Sequence, residues 1–248
     1  MKCKNLLLFA FLWVGLVVNA QVRATVSSKT YDLETVKFIV DGFVFTLNAN
    51  GSIADFNVPD LNGELEYYDD QVFDKVKYGK LKSIGNVKID YWEDSAFTKE
   101  KAGKLKSFGN ISVDYWEDSA FTKEKAGKLK SLGNISVDYW EDSAFTEEKA
   151  GKVKKIGNLA IDYWPNDIMD NSKTGKLKTI GDIAIDYGAK DVIDQSKYKK
   201  LIKFGPVSLD YYTDSFTDKN RNGQLKSING NSEKISVSVC NPSVVLKD

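Results

Sequence analysis

The sequence predicts an all-β protein in which tandem β-hairpins form an extended antiparallel meander. Three observations predict this fold: a 24-residue unit that recurs in frame, a strand-like alternation of apolar residues within the unit, and a Gly-Asn pair between its two apolar runs. A unit with a fixed period is typical of arrays in which each repeat packs on its neighbours. The pattern therefore indicates an extended array and not a single catalytic cleft.

The repeat frame extends over most of the chain. The unit GKLKSIGNVKIDYWEDSAFTKEKA begins at Gly79, and the copy at 103–126 differs from it at four positions. A degenerate copy precedes it at 55–78, and a partial copy over 223–228 ends the array. The copy that begins at Gly127 differs from the one at 103–126 at only two positions. Later copies diverge more but keep the frame, and they begin at Gly151, Gly175 and Lys199.

The first twenty residues have the pattern of a secretory signal peptide. Lys2 and Lys4 precede an apolar run from Leu6 to Val18, and Ala20 is a small residue suited to cleavage. The alternative is a buried N-terminal helix. The run is short for a membrane span and no second run follows, so we expect no span in the mature chain. We expect export, to a periplasmic, cell-surface or extracellular location.

Charge and residue types argue against several functions. Without residues 1–20 the chain has 33 basic and 35 acidic residues, so we expect neither a nucleic-acid partner nor attraction to anionic lipid. The chain contains no histidine, the commonest general base and zinc ligand. Cys240 is the only cysteine after residue 20, which excludes a disulfide within one mature chain, and we expect it to be buried.

Each unit contains the pattern of a hairpin. The run Val87–Tyr91 alternates apolar and polar residues, as a strand does, and Gly85-Asn86 separates it from a second run at 81–84. The first turn residue is glycine in six copies, whereas the second is Asn, Asp or, once, Pro206. Because proline cannot adopt a positive φ, we predict a type II′ turn, which needs positive φ at the first position only.

The turn leaves two registers open. In a regular hairpin Ile84 faces Val87 and Lys82 faces Ile89, so each face mixes apolar residues with lysine stems that can cover them. With a bulge near Ser83, Leu81 moves to the Ile89 face, and one face becomes cleanly apolar.

The segment from Glu93 to Ala102 joins one hairpin to the next. Its Thr-Lys-Glu-Lys-Ala sequence favours a helical turn, and the Lys-Glu-Lys run at 99–101 is interpreted as a solvated loop. We expect the aromatic residues of these loops to fold back over the sheet: Phe97, Phe121 and Phe145.

The repeats over 63–228 are flanked by segments that we predict to be caps. Residues 21–62 are β-rich, with a hairpin indicated by the runs 43–47 and 53–56. Residues 229–248 contain a final strand, Ile235–Val239, and a tail. Caps are expected at the two ends of an array because its last units must face water.

A β-solenoid of the leucine-rich-repeat type is the alternative fold. The spacing of Leu81, Ile84, Val87 and Ile89 fits the start of such a repeat, and 24 residues is a permitted period. However, Trp92 stands where that repeat has asparagine. Such repeats also have no need of a Gly-Asn turn before the strand.

The motif Ile89-Asp90-Tyr91, a following loop, and Gly103-Lys104-Leu105 with Ile or Phe three residues later resembles the bacterial secreted β-hairpin repeats of the YD (RHS-type) and MORN kinds. The resemblance covers roughly residues 55–228, although the loop between Tyr and Gly is longer here. Those families are scaffolds and surface or toxin shells. The resemblance therefore implies an architecture more than an activity.

A recurring aspartate precedes the strand-end tyrosine. Carboxylate oxygens suit Ca²⁺, and the candidate metal ligands are Asp90, Asp94, Asp114, Asp118, Asp138 and Asp142. Yet Glu93 and Asp94 are replaced by Pro165 and Asn166 in one later copy, and by Ala189 and Lys190 in the next. That loss favours an aspartate that accepts hydrogen bonds from the loop over a metal ligand.

A row of aromatic residues follows the same tyrosines. Regularly spaced aromatic faces suit sugar rings, and the candidate binding residues are Trp92, Trp116, Trp140, Trp164 and Tyr212, with Tyr68 in the degenerate copy. The alternative is a cross-strand aromatic ladder that stiffens the sheet. Gly188 interrupts the row.

Repetition itself argues against catalysis. Every acidic residue of 79–150 has copies, so no pair of carboxylates is singled out as in a glycosidase. We therefore expect a non-catalytic protein without cofactors, with a structural or interaction role and a protein or glycan partner at the cell surface. The alternative is a carbohydrate-binding adhesin that uses the Trp/Tyr row through multivalent contacts.

Overall fold

The computed structural model describes residues 21–57, 62–96, 99–120, 123–213 and 219–240. The predicted signal peptide, Phe97 and Phe121 lie outside these residues. The first four strands are β1 (Val22–Val26), β2 (Leu33–Val40), β3 (Phe43–Asn48) and β4 (Ile53–Asn57). The strands of the repeats are β5 (Leu65–Tyr67), β6 (Leu81–Ile84), β7 (Val87–Tyr91), β8 (Leu105–Phe108), β9 (Ile111–Tyr115), β10 (Leu129–Leu132), β11 (Ile135–Tyr139), β12 (Val153–Ile156), β13 (Leu159–Tyr163), β14 (Leu177–Ile180), β15 (Ile183–Tyr187), β16 (Leu201–Phe204), β17 (Val207–Tyr211) and β18 (Leu225–Asn229), and the last strand is β19 (Ile235–Val239).

The predicted fold class is confirmed. Strands β5 to β18 form one 14-stranded sheet in which every strand pairs with its neighbours in the sequence. The pairs are antiparallel both within a hairpin and between hairpins. The solenoid alternative is therefore wrong, because consecutive strands share one sheet as a meander. Short 3₁₀ helices lie in two of the connecting loops, at Glu147–Lys149 and Lys219–Arg221.

The hairpin turns have the backbone that the sequence predicts. The first turn residue has a φ between 54° and 58° in six hairpins, and it is glycine in each. None of the residues that follow these glycines has a positive φ. This combination is what a type II′ turn requires.

A bulge at the start of each repeat decides the register. Between β7 and β8, Asp90 pairs with Ser107 and Tyr91 pairs with Leu105, so the register skips Lys106. The same shift recurs wherever one repeat pairs with the next. Because the bulge inserts one residue, Leu105 lies on the same side of the sheet as Phe108. The register with one apolar face is thus the observed one.

We call this apolar side of the long sheet the inner face and the opposite side the outer face. In the third full repeat the inner face carries the side chains of β10 and β11 that are 6% exposed or less: Leu129, Leu132, Ile135, Val137 and Tyr139. The outer face carries the aspartates and tryptophans of the repeat, since successive side chains of a strand point to opposite faces.

The terminal segments form a second sheet instead of caps at opposite ends. β19 pairs in parallel with β1, and the strand order is β19-β1-β2-β3-β4. Phe38, Phe45 and Leu47 of this small sheet share one hydrophobic core with Leu132 and Ile156 of the inner face. The physical reason is that an apolar sheet face needs a second layer to exclude water along its surface, which terminal caps would not provide.

Main-chain hydrogen bonds join the two layers. The N–H of Val153 donates to the carbonyl of Gly51 at 2.9 Å, and the N–H of Leu201 donates to that of Tyr31 at 3.1 Å. A Cβ atom on Gly51 would lie 2.6 Å from the hydroxyl of Tyr163, so this close approach requires glycine. The small sheet is therefore held in one position over the repeats.

The small sheet covers only the C-terminal part of the inner face. Ile156 and Tyr163 are 0% exposed, whereas Leu65 and Tyr67 of edge strand β5 are 54% and 52% exposed. Ile84, in the first full repeat, is only partly buried. The inner face is therefore open to solvent at its N-terminal end.

Two sequence expectations are wrong. Phe145 is 91% exposed and does not fold back over the sheet, because its loop lies beyond the strand ends and the small sheet already covers the inner face. Cys240 is exposed, because it follows the last residue of β19 and contributes no inward side chain to the core.

Because the small sheet covers only part of the inner face, the same substitution is expected to change the free energy of unfolding by different amounts in different repeats. Ile156 and Ile84 occupy the same repeat position, so Ile156→Ala and Ile84→Ala delete the same atoms. We expect Ile156→Ala to lower the free energy of unfolding by about 2–5 kcal/mol, and Ile84→Ala to lower it by clearly less, because only Ile156 leaves an enclosed cavity. Urea unfolding followed by circular dichroism measures both. Equal losses would contradict the uneven cover of the inner face.

Candidate functional site

The outer face is built from one cluster that recurs in each repeat. Its centre is a lysine at the end of the connecting loop, which we call the bridging lysine. In the first full repeat this is Lys101, 4% exposed, whose ammonium bonds Asp114 of the next repeat at 2.7 Å and Glu117 at 2.8 Å. The corresponding distances from bridging lysine to aspartate are 2.8 Å for Lys77–Asp90, 2.7 Å for Lys125–Asp138, 2.7 Å for Lys149–Asp162 and 2.6 Å for Lys173–Asp186.

The tryptophan of each repeat completes the cluster. The indole N–H of Trp92 donates to the carbonyl of Val113 in the next repeat at 3.1 Å. The ammonium groups of Lys101 and Lys106 lie 4.7 Å and 5.6 Å from the centre of the same indole ring, within the range of cation–π attraction. Trp92 is only half-buried. We call the chain of bridging lysines, aspartates and tryptophans the outer ladder.

The outer ladder holds its carboxylates ionised. Burial raises the pKa of the Asp114 carboxyl, but hydrogen bonds from the Lys101 ammonium and the Tyr115 N–H outweigh this, and the pKa is lowered overall. The same balance lowers the pKa of Asp90 and of Asp138. Burial lowers the pKa of Lys101, and its hydrogen bonds to Asp114 and Glu117 more than reverse this. Both members of the pair are therefore charged near neutral pH.

A second row of lysines lies at the second position of the repeat, two residues before the bulge. The ammonium of Lys128 donates to the carbonyl of Gly151, one repeat later, at 2.5 Å, and it lies 5.3 Å from the centre of the Tyr139 ring. Burial lowers the pKa of Lys128 and raises that of Tyr139. The Gly-Lys pair that opens most of the repeats is thus explained by a contact between neighbouring repeats.

In the one described repeat whose tryptophan is replaced by glycine, the lysines that would contact the indole also differ. Gly188 replaces the tryptophan, and a Cβ there would lie 1.9 Å from the carbonyl oxygen of Lys197. In the copy that follows, Ile202 stands at the position equivalent to Lys106. The bridging lysine, Lys197, is 3.8 Å from Asp210, and its side chain is 42% exposed. Where the indole is missing, one of its lysines is therefore replaced and the other is held loosely.

The predicted binding row is thus placed within the fold. Trp92, Trp116, Trp140 and Trp164 are each half-buried, each donates to a carbonyl of the following repeat, and each lies near two lysines. Tyr68 replaces the indole at one end, where its hydroxyl donates to the carbonyl of Ile89 at 3.0 Å. At the other end Tyr212 lies 5.9 Å from the ammonium of Lys226.

The candidate metal ligands separate into two groups. Asp90, Asp114 and Asp138 form ion pairs with bridging lysines, as described above, whereas Asp94, Asp118 and Asp142 are exposed in the loops. Within the described residues, no group of three His, Cys, Asp or Glu side chains is arranged to hold a metal ion.

The bridging lysines are the residues that sequence reasoning missed. Interpreting 99–101 as a solvated loop is wrong for Lys101, which is 4% exposed. A signal for them exists, because the copy that begins at Lys199 has Arg221 at this position and the six copies before it, including the divergent ones, have lysine: Lys77, Lys101, Lys125, Lys149, Lys173 and Lys197. A charge that recurs while its loop changes indicates a partner on the next repeat.

A cleft of about 350 Å³ lies where the small sheet ends over the inner face. It is lined by Phe56 of β4 and by Tyr115, Lys128 and Tyr139 of the long sheet, among others. Lys128 is already bonded to Gly151 there. The cleft therefore marks the boundary between the covered and open parts of the inner face.

Comparison of the chain with protein-family models, with curated proteins and with solved structures finds no match. The resemblance to YD and MORN repeats therefore stays a prediction. None of the helices in the part of the chain that the structure describes is long and apolar enough to cross a membrane.

Removal of one bridging lysine tests the ladder. We expect Lys125→Met to lower the free energy of unfolding by about 1.5–3 kcal/mol, because it removes charge-assisted hydrogen bonds to Asp138 and Glu141. Lys123→Met is the matched control, since Lys123 lies in the same loop and is exposed. Urea unfolding of both variants measures the difference, and equal effects would show that the ladder does not stabilise the fold.

The lowered carboxyl pKa values predict loss of stability in acid. Asp90, Asp114 and Asp138 stay ionised in the folded chain at pH values where the unfolded chain protonates its aspartates, near pH 4. The unfolded state then binds more protons, so the ion pairs contribute fully above about pH 4 and are lost as the pH falls below it. Urea unfolding between pH 6 and pH 2.5 measures this dependence.

Asp114→Asn is expected to flatten the acid dependence, because it removes one of the carboxyls with a lowered pKa. Asp118→Asn, in an exposed loop position of the same repeat, is the control. An unchanged acid dependence in Asp114→Asn would contradict the role assigned to this pair.

Proposed function

We propose that this chain is an exported, non-catalytic β-repeat protein with a structural or interaction role that its extended sheet performs. The observation that carries the proposal is the outer ladder. In five consecutive junctions the bridging lysine bonds the aspartate of the following repeat at 2.6–2.8 Å. In these junctions the recurring lysine, aspartate and indole groups are engaged in joining one repeat to the next.

Uniformity supports the same proposal. A catalytic site needs groups that differ from their copies, whereas the buried lysines, the aspartates and the indoles make equivalent contacts in successive repeats. An array of this kind extends a surface at a repeat distance of roughly 10 Å, since two strands are added per repeat. We infer that a partner is recognised through this repetition, at the cell surface, as a protein or a glycan.

Carbohydrate binding by the tryptophan row is the alternative. Stacking of a sugar needs an accessible ring face. Each indole of the row is half-buried, and the ammonium groups of two lysines lie within 6 Å of the ring centre, as with Trp140 at 4.7 Å and 5.0 Å. This geometry favours the row as part of the ladder, and sugar binding stays a prediction.

A glycan array probed with the chain from Gln21 onward separates the two functions. Under the proposed role we expect the variant Trp92→Ala/Trp116→Ala/Trp140→Ala to lose stability, with no selective glycan binding by the parent chain to lose. Selective binding that disappears in this variant, while circular dichroism shows an intact sheet, would establish the adhesin instead. Phe145→Ala is the control, because Phe145 is an exposed aromatic residue outside the row.

A further inference from the structure

The loops between repeats expose large apolar side chains at their tips. Ile168 and Met169 are 97% and 91% exposed, and Val192 and Ile193 of the following loop are 94% and 95% exposed. Phe145 in the preceding loop is 91% exposed. Single exposed apolar residues are ordinary on protein surfaces, but side chains this exposed in consecutive loops need an explanation.

These residues occupy one position of the repeat. Phe73, Phe145, Met169 and Ile193 are separated by multiples of 24 residues, and the sequence has Phe97 and Phe121, which lie outside the described residues, at the same position. The two divergent loops keep few other residues of the unit, yet they have a larger apolar residue, Ile168 and Val192, where the three copies before them have alanine. The degenerate copy has Val72 at the same position. Apolar character is therefore retained where the rest of the loop has changed.

The tips do not contribute to the core, and their backbones are held by aspartates. The Asp167 carboxylate accepts the N–H of Met169 at 2.9 Å, and the Asp191 carboxylate accepts that of Ile193 at 2.8 Å. In the first loop, Asp70 accepts the N–H of Phe73 at 2.9 Å. Such side-chain turns hold the local backbone, so the apolar residues are presented to solvent in a defined conformation.

The described loop tips all lie along the side of the long sheet where the strands of one hairpin connect to the next. We call this side the loop edge, to distinguish it from the edge strands β5 and β18. In an antiparallel meander the hairpin turns lie at one edge, and the connections between hairpins lie at the other. Two strands separate successive connections, so the tips follow one another at roughly 10 Å. The loop edge therefore presents a row of separate apolar side chains divided by polar residues.

We propose that the loop edge docks on the surface of a lipid bilayer with zwitterionic headgroups, into which the loop tips insert. The inference goes beyond the protein or glycan partner proposed above, because it adds a lipid surface as a further partner of the repeats. Apolar side chains at an aqueous interface gain free energy by entering the boundary between headgroups and acyl chains. The energy adds over several loops of one rigid array, as in other multivalent contacts.

A bilayer fits the row better than a protein partner does. Phenylalanine, methionine, isoleucine and valine differ in shape, so what the loops share is apolarity and not a form that a complementary pocket could recognise. Protein interfaces also concentrate their energy in a contiguous, well-packed centre, whereas these tips stand roughly 10 Å apart. A fluid interface accepts separate side chains of different shapes.

The net charge of the loops indicates which headgroups the bilayer has. The four loops whose tips are described, 69–78, 141–150, 165–174 and 189–198, contain eleven acidic and six basic residues. An acidic edge is repelled by anionic headgroups, and the repulsion is screened by salt. Binding is therefore expected to be strongest on uncharged or zwitterionic lipid and to persist in high salt.

Co-sedimentation of the chain from Gln21 onward with phosphatidylcholine vesicles tests the proposal. We expect binding that falls when phosphatidylserine is added, and that falls by at least about tenfold in the variant Ile168→Ser/Met169→Ser/Val192→Ser/Ile193→Ser. These residues are more than 90% exposed, so the variant is expected to fold as the parent does. Leu65→Ser is the control, because Leu65 is an exposed apolar residue on a strand, away from the loop tips.

A second variant keeps the test decisive if the fourfold change affects folding. Met169→Trp is expected to retain vesicle binding, and lipids with brominated acyl chains are expected to quench part of its added fluorescence relative to the parent chain. The proposal would be overturned if the parent chain did not bind vesicles, or if the variant with four serine substitutions bound them equally well. Binding to lipid-free envelope proteins that the fourfold variant loses would assign the loop edge to a protein partner, and the proposed interaction role would stand.

Discussion

One extra residue per repeat controls how the rest of the structure is arranged. The bulge at Lys106 and its equivalents brings Leu105 and Phe108 to the same face, although they are three residues apart. Without it, leucine would join the aspartates on the outer face, and neither a continuous apolar face nor a continuous polar one could form. The bulge therefore creates the inner face that the small sheet covers and the outer face on which the ladder is built.

The two faces stabilise the array by different means. On the inner face, burial of Leu132, Ile156 and their equivalents against the small sheet supplies the hydrophobic core. On the outer face, Lys101 is withdrawn from water and compensated by Asp114 and Glu117 of the next repeat. A buried charge is strongly destabilising when its partner is removed, so each repeat depends on its neighbour for electrostatic as well as apolar reasons. At the N-terminal end, where the small sheet does not reach, the outer ladder continues through Lys77 and Asp90.

The distinction between the side chains that stabilise the array and those that do not also bears on the proposed function. The strands, and the bridging lysines at the ends of the connecting loops, hold the repeats together. The apolar side chains at the described loop tips belong neither to the core nor to the outer ladder. Phe145, Met169 and Ile193 lie in these loops and are more than 90% exposed. The proposal of a lipid-docking edge rests on these loop tips.

The sequence by itself determined the hairpin, its type II′ turn and the meander, because these depend on contacts between residues that are close in the chain. Gly85-Asn86 and the alternation of Val87–Tyr91 were enough for that. It left the register open, since a bulge depends on the pairing of two strands, and it misjudged Lys101, whose partner is in the next repeat. The pairing of β19 with β1 and the position of the small sheet over the inner face were decided only by the tertiary structure. The strand pairing joins residues more than 200 positions apart in the sequence, as between Val22 and Ile235. The small sheet lies over the inner face because an apolar sheet face must be covered by a second layer wherever the chain can supply one.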